Sequence, residues 1–97
     1  MAAYLIAVNK VIDQGKMQEY AAGAGPTLAA AGAKVLVRGA VAETLVGDLS
    51  GDIALVIEFP DIETARSWYQ SPEYQAMIST REQAMDPQFI LVEAPPA

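Results

Sequence analysis

Ile53-Ala54-Leu55-Val56-Ile57-Glu58-Phe59-Pro60-Asp61 decides the fold of this chain. Of its first seven residues all but Glu58 are apolar and three, Ile53, Val56 and Ile57, are β-branched, and proline closes the run, which predicts a strand from Ile53 to Phe59. Alternation along it sends Leu55, Ile57 and Phe59 to one face and Ala54, Val56 and Glu58 to the other. Both faces are largely apolar, so both require cover. Asp61 follows as a helix N-cap, with Ile62, Ala65 and Tyr69 on one stripe. Ser71-Pro72-Glu73 is a second cap with proline at the first helical position. Tyr74, Met77, Ile78, Arg81 and Met85 are then spaced for one face of a further helical segment.

The flanking segments complete the pattern. Ala3 to Val11 reads as a strand in which Tyr4, Ile6 and Val8 alternate with Leu5, Ala7 and Asn9. Asp13 to Lys16 turns into a helix carrying Met17, Tyr20, Ala21, Ala24, Leu28 and Ala31 on one side. Gly23, Gly25 and Pro26 interrupt that helix, and the proline is expected to kink or split it. Gly32 is a C-terminal stop. Lys34 to Gly39 is a strand, with Val41 to Val46 continuing it after a bulge at Gly39-Ala40. Gly47 to Asp52 is a polar reversal, Asp86-Pro87 ends the last helical segment, Gln88 to Glu93 is a final strand, and Ala94 to Ala97 is a tail. The order β-α-β-β-α-β predicts one α+β domain, residues 1–97. Its four-stranded antiparallel sheet has strand order 4-1-3-2 and both helices on one face. The other face carries Tyr4, Ile6, Val8, Leu36, Ala54 and Val56, an apolar patch that a second copy of the sheet would cover, so a homodimer is expected.

The 97 residues carry 12 acidic and 6 basic side chains, a formal net charge of −6, with neither histidine nor cysteine. Thiolate and imidazole chemistry, disulfides and thiolate-held clusters are thereby excluded, and no metal or cofactor is expected. Basic clusters that would bind nucleic acid or anionic membranes are missing as well. The apolar run Met1 to Val8 is too short to span a bilayer and lacks the flanks of a signal peptide, so a cytoplasmic location is expected.

Gly23-Ala24-Gly25 lacks the third glycine of a phosphate loop and reads as a helix break. Asp48, Ser50 and Asp52 have the alternate spacing of a calcium loop, but Phe59 stands where the bidentate carboxylate belongs, so a solvated turn is the better reading. Arg38 and Glu58 interrupt apolar strand faces. A hairpin centred near Asp48 would set them opposite one another, about 4.5–5.5 Å apart at Cβ. They would form either a structural ion pair or an anion-binding and acid–base pair in a pocket. Four of the seven aromatic residues, Phe59, Trp68, Tyr69 and Tyr74, crowd around the Ser71-Pro72 break. Core packing is the first reading for them, and a tyrosine hydroxyl at a pocket mouth the second.

The stretch D-I-E-T-A-R-S-W-Y-Q-S-P-E-Y-Q from Asp61 to Gln75, preceded by E-F-P at Glu58 to Pro60, resembles the signature of the family called domain of unknown function 1330. A-Y-L-I-A at Ala3 to Ala7, P-T-L-A-A-A-G at Pro26 to Gly32 and L-V-R-G at Leu36 to Gly39 extend the resemblance over roughly Ala3 to Glu93. It implies a ferredoxin-like fold in the dimeric α+β barrel superfamily, whose wider membership includes cofactor-free monooxygenases and muconolactone-type isomerases. The family's recurring polar positions fall on Arg38, Glu58, Tyr69, Ser71 and Tyr74. Val8 and Ala31 stand where many members carry acidic or histidine residues.

Three readings of function follow. In the first, a small polar or anionic molecule binds in a pocket near Arg38 and Glu58, with Trp68, Tyr69, Ser71 and Tyr74 around it. In the second, the protein is a cofactor-independent isomerase or monooxygenase with Glu58 as base and Arg38 stabilising an enolate. In the third it is a structural or interaction module.

Overall fold

The structure, a computed structural model, describes residues 1–49 and 51–95. Ser50, part of the polar reversal, and Pro96 and Ala97, the end of the tail, lie outside the described residues. Four strands, β1 (Ala3–Val11), β2 (Lys34–Ala40), β3 (Ile53–Phe59) and β4 (Met85–Glu93), form one antiparallel sheet in the order β2-β3-β1-β4. The helices are α1 (Gln14–Ala30), α2 (Ile62–Gln70), α3 (Pro72–Gln75) and α4 (Ile78–Ala84). This is the expected β-α-β-β-α-β ferredoxin-like arrangement. Leu5, Ile57 and Phe59 meet Ala24, Ala65, Trp68 and Tyr74 in a single core, so the helices cover the face that alternation assigned to them. The molecule measures 36 × 34 × 17 Å. A sheet and one helical layer fill the short dimension, since packed layers stand about 10 Å apart, and among the described residues no helix or strand covers the other sheet face, although Gly51 lies against Val8 there.

The helix termini follow from local chemistry. Asp13 caps α1 by accepting from Lys16 N–H (3.0 Å), and Asp61 caps α2 by accepting from Thr64 N–H (2.7 Å). Gly32 adopts φ +72°, the left-handed turn that ends α1. Contrary to expectation, α1 runs unbroken through Pro26. The preceding Gly25 has no Cβ to clash with the proline ring, and the Thr27 hydroxyl donates to the Ala24 carbonyl at 2.6 Å. The helical segment after Ser71 is instead divided into α3 and α4 by a turn at Ala76-Met77. Asp86-Pro87 does not precede β4 but lies inside it, on an edge strand where a missing N–H is tolerated.

The β2–β3 hairpin corrects a second expectation. Lys34 stands opposite Glu58 and Val35 opposite Ile57, but Val37 then pairs with Val56 and Arg38 with Leu55. Leu36 is the extra residue of a bulge, placed three residues earlier than expected. One inserted residue reverses the facing of everything beyond it. Arg38 therefore shares the helix-side face with Leu55, while Glu58 lies on the open face, and the two do not pair. Nor does β2 continue past Ala40. Val41 N–H donates to the Asp52 carbonyl at 2.9 Å and the ladder ends there. Continuation over Val41 to Val46 would have required a partner strand drawn from the Gly- and Asp-rich reversal, which is poor strand material.

Candidate functional site

A cavity of about 170 Å³ separates the sheet from α1. Its floor is made by Leu5, Ala7 and Asn9 of β1 with Leu55 and Ile57 of β3, and its roof by Met17, Tyr20, Ala24 and Leu28 of α1. Phe89 and Met85 close the β4 side. Val35 and Arg38 line the β2 side, where the whole strand is exposed and the cavity reaches solvent. The lining is thus apolar and aromatic, with a guanidinium at the mouth and one amide within. Asn9 is only 3% exposed, and its Oδ1 has no hydrogen-bond partner among the described residues. A buried amide oxygen left in that state costs roughly 1–3 kcal/mol.

Beside the cavity, at the junction of α1, α2 and α4, lies a cluster built on Arg81. This residue is 8% exposed. Its Nη1 donates to the hydroxyls of Tyr69 (3.0 Å) and Tyr74 (3.1 Å), and its Nη2 to Glu82 Oε1 (2.8 Å). The guanidinium also lies 5.8 Å from the ring centre of Tyr69 and 5.4 Å from that of Phe89. The Tyr74 and Tyr20 hydroxyls are 2.7 Å apart. Burial pushes the Tyr20 phenol up, and the neighbouring Tyr74 adds to the effect, so Tyr20 stays protonated. Burial alone would lower the Arg81 pKa, but its bonds to Glu82, Tyr69 and Tyr74 outweigh that and raise it, so the cation persists.

The residues singled out in the sequence are distributed between these features. Arg38 lines the cavity mouth and Trp68 the cavity wall. The indole N–H of Trp68 donates to Thr27 Oγ1 at 2.9 Å, which ties α2 to α1. Tyr69 and Tyr74 belong to the Arg81 cluster, and Tyr74 is fully buried among Trp68, Tyr69 and Tyr20. Ser71 caps α3, accepting from Tyr74 N–H (3.2 Å) and donating to the Trp68 carbonyl (2.7 Å). Glu58 is on the far side of the sheet, where the Tyr4 hydroxyl donates to its Oε2 at 3.3 Å. Asn9, Tyr20 and Arg81 were not identified as site residues from the sequence. Their shared signal is a polar group placed on an otherwise apolar stripe. Among the described residues no group of three potential metal-ligating side chains comes together, and no helix is long and apolar enough to cross a membrane.

Solved structures share this architecture at low sequence identity. A protein of unknown function from Rhodopseudomonas palustris is 17% identical, with a TM-score of 0.80 over 99% of this chain and 84% of that one. The cofactor-independent oxygenase SnoaB from Streptomyces nogalater is 10% identical, with a TM-score of 0.69 over 99% and 95%. A dimeric ferredoxin-like protein of unknown function from Thermobifida fusca is 13% identical, with a TM-score of 0.63 over 97% and 92%. These likenesses establish the fold alone. No curated protein matches the chain. The model of the domain of unknown function DUF1330 matches residues 2–95, nearly the whole length, and the chain accordingly belongs to that family.

Proposed function

We propose that the protein is a homodimeric binding protein whose cavity between sheet and α1 holds a small, ring-shaped molecule bearing a polar or anionic group. The observation that carries this reading is the largely apolar and aromatic cavity, lined by the almost fully buried Asn9 and, at its mouth, by Arg38. A core packed only for stability would place an aliphatic side chain at Asn9. The volume suits a single ring, since cavities of about 150 Å³ accommodate benzene. Arg38 at the mouth supplies the charge that would meet an anionic substituent.

Dimerisation is supported by the uncovered sheet face, where Val37 and Ile90 are 55% and 58% exposed, and by the dimeric state of the Thermobifida fusca protein of like fold. Binding is preferred to isomerase or monooxygenase catalysis because Glu58, the expected base, faces away from the cavity. No carboxylate lines the cavity among the described residues, and the chain has no histidine to replace it.

The test follows the Asn9 side-chain amide resonances by NMR during titration with benzoate. Saturable shifts are expected at millimolar concentrations, weakened only slightly by Arg38→Met, whose charge is exposed and screened by solvent at the mouth, and abolished by Ala24→Phe, which fills the cavity. Amide resonances that remain fixed while benzoate reaches saturating concentrations for any surface site would refute the reading.

A further inference from the structure

Resting on that binding reading, we infer that Tyr20, Tyr74 and Arg81 form a directed hydrogen-bond chain that makes the Tyr20 phenol an oxyanion donor to the cavity, which selects ligands carrying a phenolate, enolate or carboxylate oxygen. The direction of the chain comes from its cationic end. Arg81 Nη1 donates to the Tyr74 oxygen at 3.1 Å. A hydroxyl oxygen that accepts from a cation becomes a stronger donor and a weaker acceptor. Tyr74 therefore gives its proton to Tyr20 across the 2.7 Å contact, and not the reverse. The Tyr20 oxygen is then an acceptor, and its own proton has no acceptor among the described residues.

Position decides what that proton can serve. Tyr74 and Arg81 are enclosed, and Tyr20 is the member of the chain that lines the cavity. The cluster is also rich in donors. Tyr69 accepts from Arg81, and Arg81 Nε is buried with no partner. Glu82 is the one carboxylate bonded to the cluster among the described residues, and it sits on the outer side, more than half exposed. An acceptor oxygen supplied from the cavity would take up the unused phenolic proton, and the buried positive charge behind Tyr74 would stabilise negative charge on it. This places the selective contact at the inner end of the cavity, near β4, with Arg38 at the opposite mouth on β2. A guanidinium at the mouth attracts anions from solution, whereas a phenol inside discriminates among those that enter.

The probe is 4-nitrophenol, whose neutral and anionic forms have nearly the same size and whose anion absorbs visible light. Total binding is read from Trp68 fluorescence, and the protonation state of the bound probe from its absorbance across a pH series. The anion is expected to bind about tenfold more tightly than the neutral form, as for a hydrogen bond to a charged acceptor, so the bound probe ionises at lower pH than the free one. Tyr20→Phe removes that preference while neutral 4-nitrophenol still binds. Tyr74→Phe, which leaves the Tyr20 hydroxyl but disconnects it from Arg81, reduces the preference without removing it. Arg38→Met leaves most of it in place. Saturable binding with no anion preference, or a preference that survives Tyr20→Phe, overturns the inference and leaves the binding reading standing. Absence of any Trp68 response to either form overturns both.

Discussion

Ser71 shows how much of this molecule is decided by single side chains. Its hydroxyl closes α2 by donating to the Trp68 carbonyl and opens α3 by accepting from Tyr74 N–H. Ser71→Ala is expected to lower unfolding free energy by about 0.5–2 kcal/mol, measured by urea denaturation. Asp61 does the same work for α2, and it is fully ionised in doing so. The bonds from Thr64 hold its carboxyl below the usual aspartate value. A carboxylate whose folded pKa is depressed contributes stability above its unfolded pKa and loses it as pH falls through the folded one. The contribution of this cap is therefore complete at neutral pH, begins to fall near the unfolded value of about 4 and is lost as pH drops through the lower folded value. Asp61→Asn, which retains an accepting oxygen, should flatten that part of the acid limb in a pH series of melting midpoints. A limb unchanged by the substitution would show that other carboxylates set it. Ser71 and Asp61 were legible as caps because capping depends on residues within one turn. Arg81 was read only as part of a helical stripe, because its value lies in Tyr69, Tyr74 and Phe89, which reach it from other elements.

Elements were legible in proportion to how local their causes are. The strand from Ile53 to Phe59 and the helix stop at Gly32 follow from alternation and from a single left-handed residue. Gly32→Ala forces a Cβ into that conformation and is expected to cost about 1–2 kcal/mol in thermal or chemical denaturation. Pro26 gave the opposite lesson. Its missing N–H leaves the Ala22 carbonyl without its helical donor, yet glycine before it and Thr27 after it allow the helix to pass. Pro26→Ala restores that bond and should raise stability by up to ~3 kcal/mol. Equal or lower stability would mean that the reduced freedom of the unfolded chain dominates. The bulge at Leu36 had no comparable local signal. Nothing in Lys34 to Ala40 distinguishes a bulge at Leu36 from one at Gly39, and the choice is made where β2 meets β3.

At the scale of the whole molecule, the 17 Å thickness accommodates the sheet and one helical layer, and among the described residues no helix or strand covers the other sheet face, where the proposed second copy would sit. Ile6, Val56, Val37 and Ile90 occupy it alongside Tyr4 and Glu58. Stable dimers of this kind commonly bury more than about 2,000 Å² in total. Sedimentation equilibrium is expected to show a dimer at micromolar concentration, and Ile6→Glu to dissociate it by placing an unpaired charge in the interface. A wild-type monomer under those conditions would remove the dimer from the reading but not the cavity, which lies on the other side of the sheet.

Period-two alternation in β1 and β3, the caps at Asp61 and Ser71, and the order of the segments were sufficient to determine the topology, because each depends on residues close in sequence and on the general rules for packing a sheet beneath helices. They also placed Arg38 and Glu58 on strands. They did not determine that the two lie on opposite faces, since one inserted residue at Leu36 changes the parity of the strand, and that insertion is stabilised only by pairing with β3. The cavity, the unpartnered oxygen of Asn9 and the chain from Arg81 through Tyr74 to Tyr20 likewise belong to tertiary structure. Each joins residues from separate elements, and hydrogen-bond direction and enclosed volume arise only when those elements are packed together.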